Sequence, residues 1–68
     1  MKKTQVRYQN IEAERVRNGL SKADLSEKLG VSDRTYHNWQ NSNGDIPASK
    51  LLIMSRLFKC SIDYLLGV

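Results

Sequence analysis

The 68-residue chain has one cysteine, one proline, one histidine and one tryptophan, so several kinds of chemistry are short of parts from the start. Cys60 has no partner for an internal disulfide, and with His37 as the only other soft ligand there is no zinc set. That cysteine usage points to the reducing cytoplasm. No apolar run approaches the roughly 20 residues of a membrane span, and Met1-Lys-Lys-Thr-Gln-Val leads into no apolar signal core. Catalysis lacks a second histidine, a nucleophile beside a base and a Gly-rich phosphate loop. A chain this short also buries only about 60% of its unfolded surface, which leaves no room for a deep enzyme pocket. The reading is a non-enzyme that needs no metal and no cofactor.

What is present describes an ordinary soluble domain. Hydrophobic residues make up 40% and charged residues 26%, and four glycines with a single proline argue against extended disorder. A net charge of +4 favours an anionic partner. Lys2, Lys3, Arg7, Arg15 and Arg17 crowd the first quarter of the chain. Residues 1–9 are therefore read as a basic N-terminal arm before a domain over 10–68, with a solubilising tail as the plain alternative.

Local punctuation is dense. An apolar residue, a serine and a second apolar residue four positions later recur as Leu20-Ser21 with Leu25, Val31-Ser32 with Tyr36, and Cys60-Ser61 with Leu65. Each serine is placed to cap free backbone N–H groups, and each apolar pair forms a hydrophobic staple over the first turn. Asp24, Asp33 and Asp63 fall in those first turns, where the helix dipole favours an acid. Gly19 and Gly30 supply left-handed closures, and 41–47 reads as a polar loop. Five helices are predicted near 10–18, 22–29, 33–41, 48–58 and 62–66, with no segment of period two, so the fold class is all-α.

Spacing also nominates a core. Leu25 with Leu29, Tyr36 with Trp39, and Leu51 with Met54 and Phe58 each share a helix face, and Ile11, Val16, Leu20, Val31, Ile62 and Leu65 complete the set. Tyr36 and Trp39 are alternatively able to stack on unpaired bases. Leu52, Ile53 and Leu57 are more apolar surface than the fourth helix needs for one face. Either the fifth helix and the arm cover them, or a partner does.

Between the second and third helices lies only Gly30-Val31-Ser32, a turn of the length that sets two helices at roughly 90–120°. The third helix then protrudes, and with Tyr36 and Trp39 inward its period leaves Asp33, Arg34, Thr35, His37, Asn38 and Asn41 outside. Arg34 suits a fork onto guanine, Asn38 a bidentate pair with adenine, and Thr35 a hydroxyl or methyl contact. Asp33 is suited both to the helix dipole and to accepting from cytosine N4. His37 fits an edge contact, with pH sensing or metal binding as the other chemistry open to it. The outward face reads as a base-reading set.

From Ile11 to Gly67 these residues resemble the Cro/repressor-type (XRE-type) helix-turn-helix domains of phages and bacteria. The resemblance rests on Leu20-Ser21, Leu25, Leu29-Gly30-Val31-Ser32, Tyr36, Trp39, Asn41, Pro47 and the ending Cys60-Ser61-Ile62-Asp63-Tyr64-Leu65-Leu66-Gly67. It implies a five-helix lambda-repressor-like fold, a third helix in the major groove of double-stranded DNA, and a transcriptional regulator, a repressor of phage or mobile-element type. It assigns Lys22, Asn41 and Arg15 to phosphate positioning. Lys22 stands where the family usually has Gln, so it positions more than it reads. The family commonly pairs the arginine of the first helix with a glutamate near the end of the third. Here Gln40 holds that second place, so a neutral hydrogen bond, or none, is expected with Arg15. Ser26 replaces a small alanine, a mild change if its hydroxyl bonds back to a carbonyl. Cys60 stands at a small apolar position and reads as a buried structural thiol. The loop Ser42-Asn43-Gly44-Asp45 lacks the usual cations, which predicts fewer phosphate contacts and a shallower salt slope.

A lone module this small buries little DNA surface, so a two-fold dimer on a palindrome with half-sites about 34 Å apart is expected. Nothing follows Val68 in this sequence, so the pairing surface is sought in the fourth and fifth helices or the arm, with Ile53, Leu57 and Leu66 as the seam. A reading from a different class is a small helical protein-interaction module, such as an antitoxin or anti-repressor, using the same exposed face.

Overall fold

The computed structural model describes residues 7–41 and 44–68 and contains five helices: α1 (Gln9–Arg17), α2 (Lys22–Leu29), α3 (Asp33–Gln40), α4 (Ala48–Phe58) and α5 (Ile62–Leu66). Each helix matches its sequence-based span to within one residue. No strand occurs among the described residues, and none of their helices is long and apolar enough to cross a membrane.

The three serines set these limits through their side chains. Ser21 Oγ accepts the Asp24 N–H at 3.0 Å while the Asp24 carboxylate accepts the Ser21 N–H at 3.0 Å, a reciprocal capping box. Ser32 takes the Thr35 N–H at 3.1 Å and Ser61 the Tyr64 N–H at 3.0 Å. All three staples close on the core, with Leu25, Tyr36 and Leu65 buried and Leu20, Val31 and Cys60 half-buried against them. At the other ends, Gly19 and Gly30 adopt φ of 69° and 72°, where a Cβ would be strained.

The core is Ile11, Leu25, Leu29, Tyr36, Trp39, Ile46, Leu51, Met54, Phe58 and Leu65. Side chains of this size contribute roughly 1.5–3 kcal/mol each when fully buried. Leu20, Val31 and Ile62, expected in the core, pack half-buried against it, and two other residues differ more from the sequence reading. Val16 is 64% exposed, because its five-residue offset from Ile11 carries it around α1, and the inward place goes to Glu14 instead. Ile46 is buried although it lies in the stretch read as a polar loop, where it extends the core just before α4. Glu14 is tolerated inside because Arg17 pairs with its carboxylate at 3.1 Å and the Tyr64 hydroxyl donates to it at 3.1 Å. That second bond, with Asn10 Nδ2 donating to the Tyr64 C=O at 2.6 Å, fastens α1 to α5.

Helix α5 packs on α4 and α1, and α2 packs on α3 and α4. Leu57 and Leu66 are half-buried against the core, whereas Leu52 and Ile53 remain exposed. Cover by α5 is thus partial. Lys2 and Lys3 of the expected arm, and Ser42 and Asn43 of the expected loop, lie outside the described residues.

Candidate functional site

The unit that projects side chains outward is α2, the turn over 30–32, and α3. Left-handed Gly30 reverses the chain, and the Val31 N–H reaches back to the Ser26 C=O at 3.0 Å, which ends α2 within one residue. Ser32 starts α3 at once. Ser26 itself is almost fully buried, and its hydroxyl donates to the Lys22 C=O at 2.8 Å, as expected for a hydroxyl in an alanine's place.

The two sides of α3 differ sharply. Inward, Tyr36 and Trp39 meet edge to face, ring centroids 6.4 Å apart at 71°, and Gln40 is 4% exposed beside them. Both aromatic rings belong to the core. Outward, Asp33, Arg34, His37 and Asn41 are exposed, with Thr35 and Asn38 half-buried. Among the described residues the side chains of Arg34 and Asn38 have no hydrogen-bond or ion-pair partner. Thr35 Oγ1 lies 3.0 Å from Ser32 Oγ, so its hydroxyl is engaged in the cap. Asn41 Nδ2 donates to the His37 C=O at 2.8 Å, closing the end of α3. Lys22 is exposed as the first residue of α2, and Asp33 as the first of α3. Five of the expected outward residues thus share α3, Asn41 caps its end, and Lys22 opens the neighbouring helix.

Arg15, expected at a phosphate, uses three of its five N–H donors inside the fold. Its side chain is 14% exposed; Nε and Nη2 donate to the Glu12 carboxylate at 3.2 and 2.8 Å, and Nη1 to the Leu20 C=O at 2.6 Å. Glu12 Oε2 also receives the Tyr36 hydroxyl at 2.5 Å, and Gln40 Nε2 donates to that hydroxyl at 3.2 Å. Arg15 and Gln40 therefore do not meet; Glu12 and Tyr36 stand between them as a relay from α1 to α3. Burial pushes the Glu12 carboxyl up, but the hydrogen bonds from Arg15 and Tyr36 and the charges of Arg15 and Lys22 outweigh it and leave it below the usual carboxylate range. Burial, then the bond to Glu12, raises the Tyr36 hydroxyl well above its ordinary value, so it stays a donor.

Gln40 does more than spacing suggested. Its Oε1 accepts the Tyr8 N–H at 2.8 Å, its Nε2 also donates to the Tyr8 C=O at 3.3 Å, and its backbone carbonyl accepts the Arg7 N–H at 2.8 Å. The chain entering α1 is thereby laid against the end of α3. Burial, assisted by the Glu14 charge, raises the half-buried Cys60 thiol, in keeping with an inert structural role. No group of three or more metal-ligand side chains occurs among the described residues.

Comparison with known proteins places this geometry. A family described as Helix-turn-helix matches residues 4–65. The HTH-type transcriptional regulator YobD of Bacillus subtilis is 35% identical over 49 residues, which are 72% of this chain and 44% of that protein. Repressor protein C2 of Salmonella phage P22 is 33% identical over 63 residues, 93% of this chain and 29% of that protein. The chain thus spans less than half the length of these curated relatives. Among solved structures, the P22 c2 repressor in complex with a synthetic operator superposes with a TM-score of 0.75 at 33% identity, covering 93% of this chain and 96% of that one. A transcriptional regulator from Listeria innocua gives a TM-score of 0.79 at 26% identity, covering 96% of this chain and 62% of that one.

Proposed function

Because this chain belongs to the helix-turn-helix family, we propose that it binds double-stranded DNA in a sequence-dependent way, with α3 in the major groove, and acts as a transcriptional repressor. The observation that carries this reading is the division of α3: an inner face locked into the core and an outer face on which Arg34 and Asn38 have no partner among the described residues. Long polar side chains left uncommitted on a rigid protruding helix are what direct base reading requires. A relative solved on a synthetic operator, the P22 c2 repressor, supports the same reading.

In this scheme Arg34 forks onto a guanine and Asn38 pairs with an adenine. Thr35 has its hydroxyl engaged by Ser32, so a thymine contact falls to its methyl group. Asp33 serves the dipole of α3 and accepts from a cytosine, while His37 lies at the edge of the contact. Lys22 and Asn41 hold phosphates. Arg15 steadies Glu12 against Tyr36, and its two remaining N–H donors are the ones left for a phosphate. Two copies related by a two-fold axis meet through α4 and α5 at Ile53, Leu57 and Leu66, and the basic arm read over 1–9 joins the fold at Arg7 and Tyr8, with Gln9 already in α1.

Selection of duplexes from a random pool at roughly physiological salt tests this directly, since non-specific complexes with Kd of order 10⁻⁴–10⁻⁶ M are largely lost there. An enriched inverted repeat is expected. On that duplex Arg34→Ala should cost about 1–3 kcal/mol and relax preference at one base position. Enrichment of no motif would transfer the outer face of α3 to a protein partner.

A further inference from the structure

We infer that Arg7, at the root of the arm, is a phosphate-binding residue of this same face and that Asp45 occupies it while DNA is absent. The inference rests on the DNA-binding reading and adds a contact that reading does not contain. The stretch from Asn41 to Pro47 carries no lysine or arginine, so the segment following α3 has no cation of its own. The fold brings one from 37 positions away. Arg7 Nη1 donates to the Gly44 C=O at 2.6 Å, and Nη2 lies 3.2 Å from Asp45 Oδ1.

Three features fit this arrangement to anion exchange. First, the position of Arg7 does not depend on Asp45. Its N–H is bonded to the Gln40 C=O, Tyr8 is held in both directions by the Gln40 amide, and the guanidinium lies 5.0 Å above the Tyr8 ring. Release of the carboxylate therefore leaves the cation in place at the end of α3. Second, Asp45 is 91% exposed, and an ion pair in such contact with water is weak and salt-screened. Third, a guanidinium has five N–H donors in a planar fork, and two are used here. The remaining donors suit the bidentate grip that arginine makes on phosphate oxygens. Asp45 is then an intramolecular stand-in for a backbone phosphate beside Asn41.

The test measures affinity against salt on two duplexes of equal length, the one enriched by the wild-type protein and a scrambled one. Arg7→Gln should weaken binding to both by the same factor and reduce the slope of log K against log salt by about one. Arg7→Lys should keep a slope near the wild-type value, because the charge remains. Asp45→Asn should tighten binding, and by less when combined with Arg7→Gln. An unchanged slope in Arg7→Gln, accompanied by a lower melting temperature, would overturn the inference and make Arg7 a staple for the loop. Equal affinity of the wild type for both duplexes would instead count against sequence reading while leaving the slope comparison readable; binding to neither would reject both.

Discussion

The turn from α2 to α3 and the turn from α4 to α5 follow one plan with different residues. Each passes from a left-handed closing residue through an apolar residue to a capping serine: Gly30-Val31-Ser32 with φ of 72° at its head, and Lys59-Cys60-Ser61 with φ of 56°. In both, the N–H of the apolar residue returns to the carbonyl of a serine five positions back, Val31 to Ser26 at 3.0 Å and Cys60 to Ser55 at 3.1 Å. The serine side chains then diverge. Ser26 turns back into α2, whereas Ser55 Oγ reaches forward and donates to the Cys60 C=O at 2.6 Å. The turn from α1 to α2 has the forward brace too, with Arg15 Nη1 on the Leu20 C=O. Of the two braced reversals one stands on Gly19 and the other on Lys59, which the Ser55 bond helps to hold in a conformation that disfavours it; the unbraced reversal, which sets the proposed reading helix, stands on glycine.

Replacing Arg15 by Met should have the largest effect, because it removes a brace and also leaves the Glu12 carboxylate without its cation. A loss on the order of 3 kcal/mol is expected in urea unfolding. The same pair sets an acid dependence. The folded Glu12 carboxyl lies below its unfolded value, so its contribution is present above the unfolded pKa and is lost as pH falls through the folded one. Arg15→Met should flatten that acid limb. Gly30→Ala comes next at about 1–2 kcal/mol, the cost of a Cβ in the left-handed region. Crowding adds little to it, as the nearest atom to that Cβ would be Lys50 Nζ at 3.8 Å. The smallest and most discriminating effect is at the other turn. Lys59→Gly should stabilise by roughly 0.5 kcal/mol and reduce the cost of Ser55→Ala, itself about 1 kcal/mol. Strict additivity of those two changes in thermal melts would mean that the brace and the strained lysine are unrelated.

The same comparison explains what the sequence discloses. Ser21, Ser32, Ser61, Gly19 and Gly30 declare helix ends by chemistry contained within a few residues, and the helix limits were legible from them. The outer face of α3 was legible for a similar reason, since 3.6-residue periodicity separates Arg34 and Asn38 from Tyr36 and Trp39 without knowledge of any neighbour. Lys59 offers no such cue, because nothing in a lysine announces a left-handed backbone. Ile46 had one, a lone apolar residue just before Pro47, but its burial depends on where α4 and the core meet. Between Arg15 and Gln40 a neutral hydrogen bond or none was expected, and there is none. Their choices of Glu12, Tyr36 and Tyr8 are settled by side-chain reach between helices, which periodicity does not encode. Arg7 was visible only as arm charge, since its carbonyl partner lies 37 residues away.

The clasp between Tyr8 and Gln40 spans 32 positions and uses both the main chain and a side-chain amide. Closing so long a loop is entropically costly until the intervening helices have docked, so it belongs to the late, highly cooperative part of assembly. Once formed it works in reverse. Residues just outside α1, which would ordinarily fray, are tied through the Gln40 amide to the opening of α3. The Tyr8 N–H thereby acquires the exchange behaviour of α3 and not that of a frayed helix end.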